Sequence, residues 1–211
     1  MESKLMSLEP VKRNAILNAA LKEFAVKGFD KASTNIIAKD AEISKPLLFH
    51  YVGTKQELFL CVYDYFFNLL DKEYYLKLDL SQQDIFDRLR QSYILQINLI
   101  KLHPWIFEFS KLSATTNSDE INEELKKRSS KKLSSCSTQL FDTIDKTKFR
   151  KGLDIEKCKQ FILWANIGFT NQILDDIHNS SHQEIDYQTI LQTLDEYFDE
   201  LKKVFYTSSN E

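Results

Sequence analysis

Glycine and proline are scarce in this 211-residue sequence, which has four glycines and three prolines. Together they make up roughly 3% of the chain, against a usual value of about 12%. β-sandwiches and barrels need many turn residues, so this scarcity excludes them and favours long helices with short connections. The three cysteines are an odd number at wide, irregular spacings. This pattern predicts reduced thiols in the cytoplasm rather than a disulfide framework.

Long apolar runs are also missing. The longest spans six residues, Leu58 to Tyr63, whereas a transmembrane helix needs about 20. The first residues, Met1 to Lys4, lack the basic start and apolar core of a secretory signal. We therefore expect a cytoplasmic protein that does not associate with a membrane.

Recognisable catalytic motifs are missing too. The sequence has no glycine-rich phosphate loop, no paired cysteines at zinc spacing and no nucleophile elbow. Its four histidines are scattered over separate predicted elements, so they offer no obvious acid–base pair. The sequence predicts a protein that is not an enzyme and that has no cofactor and no metal site.

The charges are distributed unevenly along the chain, whose net charge is −3. Residues 1–60 carry nine basic and seven acidic side chains, and the remainder carries nineteen and twenty-four. The N-terminal part can therefore approach a polyanion while the rest stays acidic.

Four helices are predicted in the N-terminal part, where apolar residues recur at helical spacing. Each helix is marked by capping or terminating residues. The first runs from near Ser7 and Pro10 to Gly28, with Phe29 folding back onto it; Ser33 caps the second and Ser44 the third; Gly53 ends the third; and a capping box of Thr54 and Glu57 opens the fourth.

The pattern stays helical beyond residue 75, and it shows no internal repeat. Further helices are predicted from Ser81 to the break at His103-Pro104, over Trp105 to Leu112, from Ser118 to about Lys146 as one helix or a pair, from Asp154 to about Ile177, and from Asp186 to about Phe205. We therefore predict an all-α fold.

The second and third helices are short and separated by only a few residues, which is typical of a helix-turn-helix. In such a motif the second of the two helices enters the major groove of DNA with its N-terminal residues at the base edges. Ile37, Ala38, Ile43 and Leu48 supply the small apolar core that sets the angle between the two helices.

Residues 10–60 resemble the DNA-binding domain of TetR-family repressors. The resemblance lies in Gly28-Phe29, in the segment from Ser33 to Ala38, in the segment from Ile43 to Val52 and in the segment from Lys55 to Phe59. It implies an operator-binding domain over residues 1–54 and a larger helical domain for ligand binding and dimerisation over residues 55–211. The residues it implies for DNA contact are Ser33, Thr34, Asn35, Lys45, Pro46, Leu47, Phe49, His50, Tyr51 and Lys55.

Three positions depart from the family pattern. Glu42 replaces a common glycine in the turn, which predicts a strained or differently shaped turn. Leu47 replaces a small polar residue, which favours contact with a thymine methyl group over a hydrogen bond. Phe49 replaces a tyrosine and lacks its phosphate-binding hydroxyl. These departures concern the operator sequence and not the function.

The resemblance also implies a repressor that a small molecule releases from a palindromic operator. The bulky rings of the second domain predict a largely apolar or aromatic effector, held by a few polar anchors. The predicted ligand residues are Tyr65, Phe66, Tyr93, Gln96, Trp105, Phe109, Trp164 and Asn166.

The last two predicted helices are apolar on more than one side. Such helices must be buried on more than one side. Because one chain covers only their inner faces, we predict a homodimer in which these helices form a four-helix bundle. Leu194 belongs to the apolar stripe of the last helix, and we expect it at the dimer interface.

Other interpretations of several features remain open. The aromatic residues fit a plain core as well as a ligand pocket. His178 and His182 have the i, i+4 spacing of metal ligands, although a surface loop is the simpler interpretation. The basic run 126–132 fits a solvated helix face better than a second polyanion contact. Two alternative functions are an all-helical enzyme and an adaptor that binds a partner protein.

Overall fold

The computed structural model describes residues 4–112, 116, 118–129, 140–179 and 186–207. Within these residues the regular elements are helices, and none of them is long and apolar enough to cross a membrane. The α-helices are α1 Pro10–Lys31, α2 Thr34–Asp40, α3 Lys45–Val52, α4 Lys55–Glu73, α5 Ile85–Leu102, α6 Ile106–Leu112, α7 Asp119–Ser129, α8 Ile155–Asn179 and α9 Tyr187–Phe205. The predicted all-α class is confirmed.

The chain divides into two compact units. The first comprises Met1–Leu76 and Leu99–Ser134, and the second comprises Lys77–Asn98 and Ser135–Glu211. The functional boundary expected after residue 54 concerns DNA binding and not compactness, so it remains a prediction.

The core of the first unit is built from α1, α2, α3, α4 and α6. Phe24 and Phe59 meet edge to face at 5.0 Å between ring centroids, and Phe59 lies 5.8 Å from Phe109. Phe29 folds back to within 6.5 Å of Phe24, as the sequence predicts. These contacts join the helix-turn-helix to α4 and α6 through aromatic packing.

The first helix ends differently from the prediction. It continues to Lys31, but Gly28 has a non-helical backbone with a φ of 68° and interrupts it. The glycine therefore breaks the regular helix where expected, and one further turn follows the kink. Ser33 precedes α2 as expected, yet its side chain makes no capping bond; its own backbone N–H donates to Glu23 at 2.8 Å.

The start of α5 lies at Ile85 and not at Ser81, where the sequence predicts it. Asp84 caps the helix by accepting the N–H of Phe86 at 2.8 Å. The same carboxylate accepts from Lys148 at 2.6 Å and from Tyr206 at 3.3 Å. Burial by itself raises the pKa of Asp84. The hydrogen bonds from Lys148 and Phe86 and the charge of Lys148 together have the larger effect, so the pKa lies below its usual value. Asp84, which Lys148 and Tyr206 also contact, is therefore the cap of α5 in place of Ser81.

The core of the second unit contains buried apolar residues of α5, α8 and α9, and Arg88 of α5 is buried beside two non-helical segments of the same unit. Arg88 has only 1% of its surface exposed. Its guanidinium has no carboxylate partner in the described part of the chain. It donates instead to main-chain carbonyl oxygens, and these hydrogen bonds offset the cost of burying the charge. The acceptors are the carbonyls of Leu80, Gln82, Leu140, Asp142 and Thr143.

The helix or helix pair predicted from Ser118 to about Lys146 is wrong at its C-terminal end. Helix α7 covers only Asp119–Ser129, residues 140–145 are not helical, and a short 3₁₀ helix spans Lys146–Lys148. Residues 130–139 lie outside the described residues. The carbonyls of 140, 142 and 143 are used by Arg88, so this segment bonds to a side chain and not to a helix ladder.

Candidate nucleic-acid interface

Helices α2 and α3 are held by the small apolar core expected for a helix-turn-helix. Ile37, Ala38 and Leu48 are buried, whereas Ile43 is half-buried. The turn between the helices is closed by the N–H of Ile43, which donates to the carbonyl of Ala38 at 2.9 Å. Glu42 lies in this turn with a φ of 55°. The strain predicted for a side chain at this position is therefore present.

The recognition helix α3 exposes its N-terminal residues. Ser44 caps it, since its Oγ accepts the N–H of Leu47 at 3.3 Å. Lys45 and Pro46 are exposed, and Leu47 and Phe49 are half-buried. The Lys45 ammonium lies 5.9 Å from the centroid of the Phe49 ring. This end of α3 therefore presents one cation and an apolar edge that fits a thymine methyl group.

The N-terminus of α2 is the second predicted contact region. Ser33 and Thr34 are half-buried and Asn35 is exposed. They begin a helix of only seven residues, whose first turn presents small polar side chains suited to phosphate or base contact.

The C-terminal end of α3 carries His50 and Tyr51, whose rings lie 5.7 Å apart. The Nζ atom of Lys12 donates to the Tyr51 hydroxyl at 2.9 Å and lies 5.1 Å from the ring centroid. Gly53 then ends the helix with a φ of 79°, and a Cβ atom there would displace the Glu57 carboxylate from its capping position. The left-handed backbone conformation therefore favours glycine at this position.

Lys55 opens α4 within the predicted capping box, in which Thr54 and Glu57 satisfy each other's backbone amides. Its ammonium donates to the carbonyl of Asp30 at 3.1 Å and lies 5.0 Å from the Phe29 ring centroid. Burial lowers the pKa of Lys55, while the charges of Asp30 and Glu23 oppose that shift. The side chain is thus held at one edge of the helix-turn-helix.

Four of the predicted ligand residues lie in the first unit. Phe66 and Phe109 are buried, with their rings 6.5 Å apart, and Phe66 lies 4.9 Å from His103. Trp105 and Tyr65 are half-buried. Tyr65 lines a cleft of about 600 Å³, together with residues of α3, α4 and α7.

The other four predicted ligand residues lie in the second unit. Tyr93 is buried, and its hydroxyl lies 3.0 Å from the carbonyl of Asn166 and 2.7 Å from Thr170 Oγ1. Gln96 donates to Ser92 at 2.9 Å. Trp164 is 56% exposed on α8. The buried Oδ1 of Asn166 accepts no hydrogen bond from the described residues.

Asn166 also lines a groove of about 200 Å³ between α8 and α9. The groove is mostly apolar and is bordered by Ala165, Phe169, Gln172, Leu194, Tyr197, Phe198 and Leu201. Leu194 forms part of its floor and is only 1% exposed, while Tyr197 stands at its edge and is 55% exposed.

The sequence indicates two further candidate sites, a histidine pair and a basic run, and the structure describes part of each. His178 lies in the last turn of α8, and His182 lies outside the described residues. In the basic run, Lys127 and Arg128 both pair with Glu124, and Arg128 also bonds Asp64 of α4 at 3.2 Å. Residues 130–132 lie outside the described residues. The described part of the run is therefore at least partly neutralised by carboxylates.

The arrangement of α1 to α3 defines a helix-turn-helix protein. Residues 16–62 match the family model of bacterial regulatory proteins of the tetR family. The domain that carries the helix-turn-helix thus belongs to the TetR family, and the resemblance inferred from the sequence is confirmed. No curated protein sequence matches the chain.

Solved structures share the fold over nearly the whole chain. A TetR-family transcriptional regulator from Chloroflexus aurantiacus is 16% identical, with 97% of each chain covered and a TM-score of 0.57. The ketosteroid transcriptional regulator KstR2 of Mycobacterium tuberculosis is 17% identical, with 99% of this chain and 97% of that chain covered and a TM-score of 0.54. AibR, solved with isovaleryl coenzyme A and operator DNA, is 17% identical, with 88% of this chain and 97% of that chain covered and a TM-score of 0.53.

Proposed function

We propose that the protein is a cytoplasmic, homodimeric transcriptional repressor that a largely apolar or aromatic effector releases from a palindromic operator. The observation that carries DNA binding is the exposed N-terminal end of α3 within a TetR-family domain. In this proposal Lys45, Pro46 and Leu47 meet the bases. Phosphate contacts come from the N-terminus of α2 (Ser33, Thr34, Asn35), from His50 and Tyr51, and from Lys55, while Phe49 makes an apolar contact beside Lys45.

The dimer is proposed to form through the last two helices, α8 and α9. Phe161, Trp164, Ile167, Tyr197 and Val204 are each at least 46% exposed. Aromatic and aliphatic residues grouped on two neighbouring helices are typical of a protein interface. A two-fold dimer would also present two recognition helices to major grooves about 34–36 Å apart. Trp164 then belongs to the dimer face, which is a second interpretation beside its predicted ligand contact.

The effector is proposed to be apolar or aromatic because six of the eight predicted ligand residues are aromatic and none of the eight is charged. One relative of the same fold, a ketosteroid transcriptional regulator, supports this class. Another was solved with isovaleryl coenzyme A, in which the acyl group is apolar and the coenzyme A part is charged. Release requires that the effector bind the DNA-incompetent arrangement better than the competent one. An enzyme or a protein-binding adaptor remains the competing interpretation, and neither requires specific binding to duplex DNA.

DNA binding is tested by selecting duplexes from a random library and measuring affinity at several salt concentrations. Most of the affinity should come from phosphate neutralisation, so it should fall steeply as salt rises. Lys55→Met keeps the aliphatic stem over Phe29 but removes the charge, and we expect it to weaken all duplexes alike. Leu47→Thr should instead change the preferred base at one position of each half-site.

Thermal unfolding of both variants controls for loss of the fold. Selection of no duplex at low salt by the folded wild-type protein would contradict the proposal. It would favour an enzyme or an adaptor.

A further inference from the structure

Lys12 contacts Tyr51, a residue of the proposed DNA interface, but it is not itself among the DNA-contact residues proposed above. It lies in the first turn of α1, 39 positions before Tyr51, and donates to that hydroxyl at 2.9 Å. No carboxylate in the described part of the chain pairs with it at ion-pair distance. An exposed lysine is ordinarily well solvated and mobile. This one instead lies over the Tyr51 ring, 5.1 Å from its centroid.

The direction of this hydrogen bond follows from the chemistry of the two groups. An ammonium has three donors and no acceptor, so the Tyr51 oxygen must accept. The hydroxyl hydrogen of Tyr51 therefore points away from Lys12. A neighbouring cation also polarises a hydroxyl and makes it a stronger donor. An ammonium beside a polarised hydroxyl is a suitable pair for one phosphate oxygen.

The helix-turn-helix itself has little positive charge for a DNA-binding surface. Residues 33–55 carry three lysines and two carboxylates. The formal net charge of this segment is therefore only +1, with histidine counted as neutral. Binding to a polyanion draws on lysines and arginines that neutralise phosphates. Lys12 adds a cation next to Tyr51, at the C-terminal end of α3.

We propose that Lys12 is a phosphate-binding residue of the DNA interface, and that it positions the Tyr51 hydroxyl to donate to the same phosphate. This inference rests on the proposed DNA-binding function. It extends the interface from the helix-turn-helix to the first turn of α1. Because a phosphate contact carries no sequence information, Lys12 contributes affinity to every duplex and not specificity.

The test measures binding by fluorescence anisotropy between about 50 and 200 mM potassium chloride. The probes are a duplex that the wild-type protein selects from a random library and a scrambled duplex of the same length. Lys12→Gln should weaken both by at least about 10-fold near 100 mM salt. It should also reduce the slope of log K against log salt by about 0.9 for each phosphate that is no longer neutralised, or about 1.8 for a dimer.

Two variants control for the charge of Lys12 and for its position on α1. Lys12→Arg keeps the charge and should keep the salt slope. Lys22→Gln removes an exposed lysine from the same helix and should leave affinity and slope unchanged.

Tyr51→Phe removes the hydroxyl, and the double variant with Lys12→Gln should be weakened at least about 2-fold less than the product of the two single effects.

The outcomes separate this inference from the function on which it rests. Wild-type affinity and slope in Lys12→Gln, with normal binding by the wild-type protein, would overturn the role of Lys12 alone. A changed slope with independent single effects would keep the phosphate contact and overturn the positioning of Tyr51. A wild-type protein that selects no duplex would overturn the proposed function itself.

Discussion

His103 is an imidazole that the fold buries almost completely, with 3% of its surface exposed. It lies between α5 and α6, and its Nδ1 is 2.7 Å from Asn18 Oδ1 of α1. Asn18 Nδ2 donates to the carbonyl of Leu102 at 2.9 Å. Because the amide nitrogen is used there, the amide oxygen faces His103, and Nδ1 must carry the hydrogen. The neutral imidazole thus joins α1 to the α5–α6 corner.

The burial of His103 predicts how the free energy of unfolding depends on pH. Burial lowers the pKa of His103 to about 4, whereas the unfolded chain has a pKa near 6.5. Between these values the unfolded state binds the proton and the native state does not. The free energy of unfolding should therefore fall as pH decreases from about 6.5 to about 4, by about 3 kcal/mol in total. Urea denaturation at a series of pH values measures it.

His103→Asn should flatten this dependence, because Asn supplies an N–H near Nδ1 and does not titrate in that range. His50→Asn replaces an exposed histidine and should retain the wild-type profile. Since the comparison is of slopes and not of absolute stabilities, general destabilisation by the substitution does not obscure it. An unchanged slope in His103→Asn would show that this imidazole is not the group responsible.

Among the elements, α8 and α9 each have a face that the described part of the chain leaves exposed. The inner face of α9 carries Leu194 and Phe198, which are buried. Tyr197 lies on the other side and is 55% exposed. The apolar stripe of α9 predicts Leu194 at the dimer interface, but the residue is already covered within one chain. A charge there would disrupt the core of the unit, so it is not a clean test of dimerisation.

Tyr197→Asp is the informative substitution for the dimer proposed above. A charge at this exposed position should leave the fold intact and oppose burial against a second copy. We expect monomers in sedimentation equilibrium. Operator affinity should fall by about 100-fold or more, because two linked DNA-binding domains lose the advantage of joint binding.

Gln192→Asp is the matched control, since it adds one charge at an exposed polar position of the same helix. It should remain dimeric and bind the operator normally. A stable dimer of Tyr197→Asp would assign the interface to another surface.

At the scale of the whole molecule, effector and operator should oppose each other's binding. If an effector prefers the DNA-incompetent arrangement by about 100-fold, the coupling free energy is roughly 2.7 kcal/mol. By thermodynamic linkage, operator DNA must then weaken effector binding by the same factor. Isovaleryl coenzyme A and a panel of hydrophobic compounds are titrated by calorimetry, with and without the selected duplex.

The control in this experiment is the scrambled duplex, which should change effector affinity less than the selected one. A compound that binds with equal affinity in both cases does not act as the inducer. If every compound that binds behaves in that way, release by an effector of this class is contradicted.

Local signals in the sequence predict most of the helix-turn-helix. The caps at Ser44 and Asp186 form as expected, as does the capping box of Thr54 and Glu57. Such signals depend on atoms within one turn of the chain, so their energies can be judged from spacing alone. The strained φ of Glu42 is not predicted by a local signal. It is predicted by the resemblance to the TetR family, which commonly has a glycine at this position.

Tertiary packing decided what spacing could not. Asp84 displaced Ser81 as the cap of α5 because Lys148 and Tyr206 reach it across more than 60 residues. The predicted helix beyond residue 139 did not form where Arg88 takes the carbonyls. In each case a distant partner outweighed a local preference, and its position depends on the packing of whole helices.

The sequence by itself thus determined the all-α class and the helix-turn-helix, because periodicity and capping act over a few positions. Only the tertiary structure brought Lys12 to Tyr51 and His103 to Asn18, which are 39 and 85 positions apart. It also decided which side of α9 is buried. An apolar stripe gives the face of a helix that avoids water, but the neighbouring helices decide how much of that face they cover.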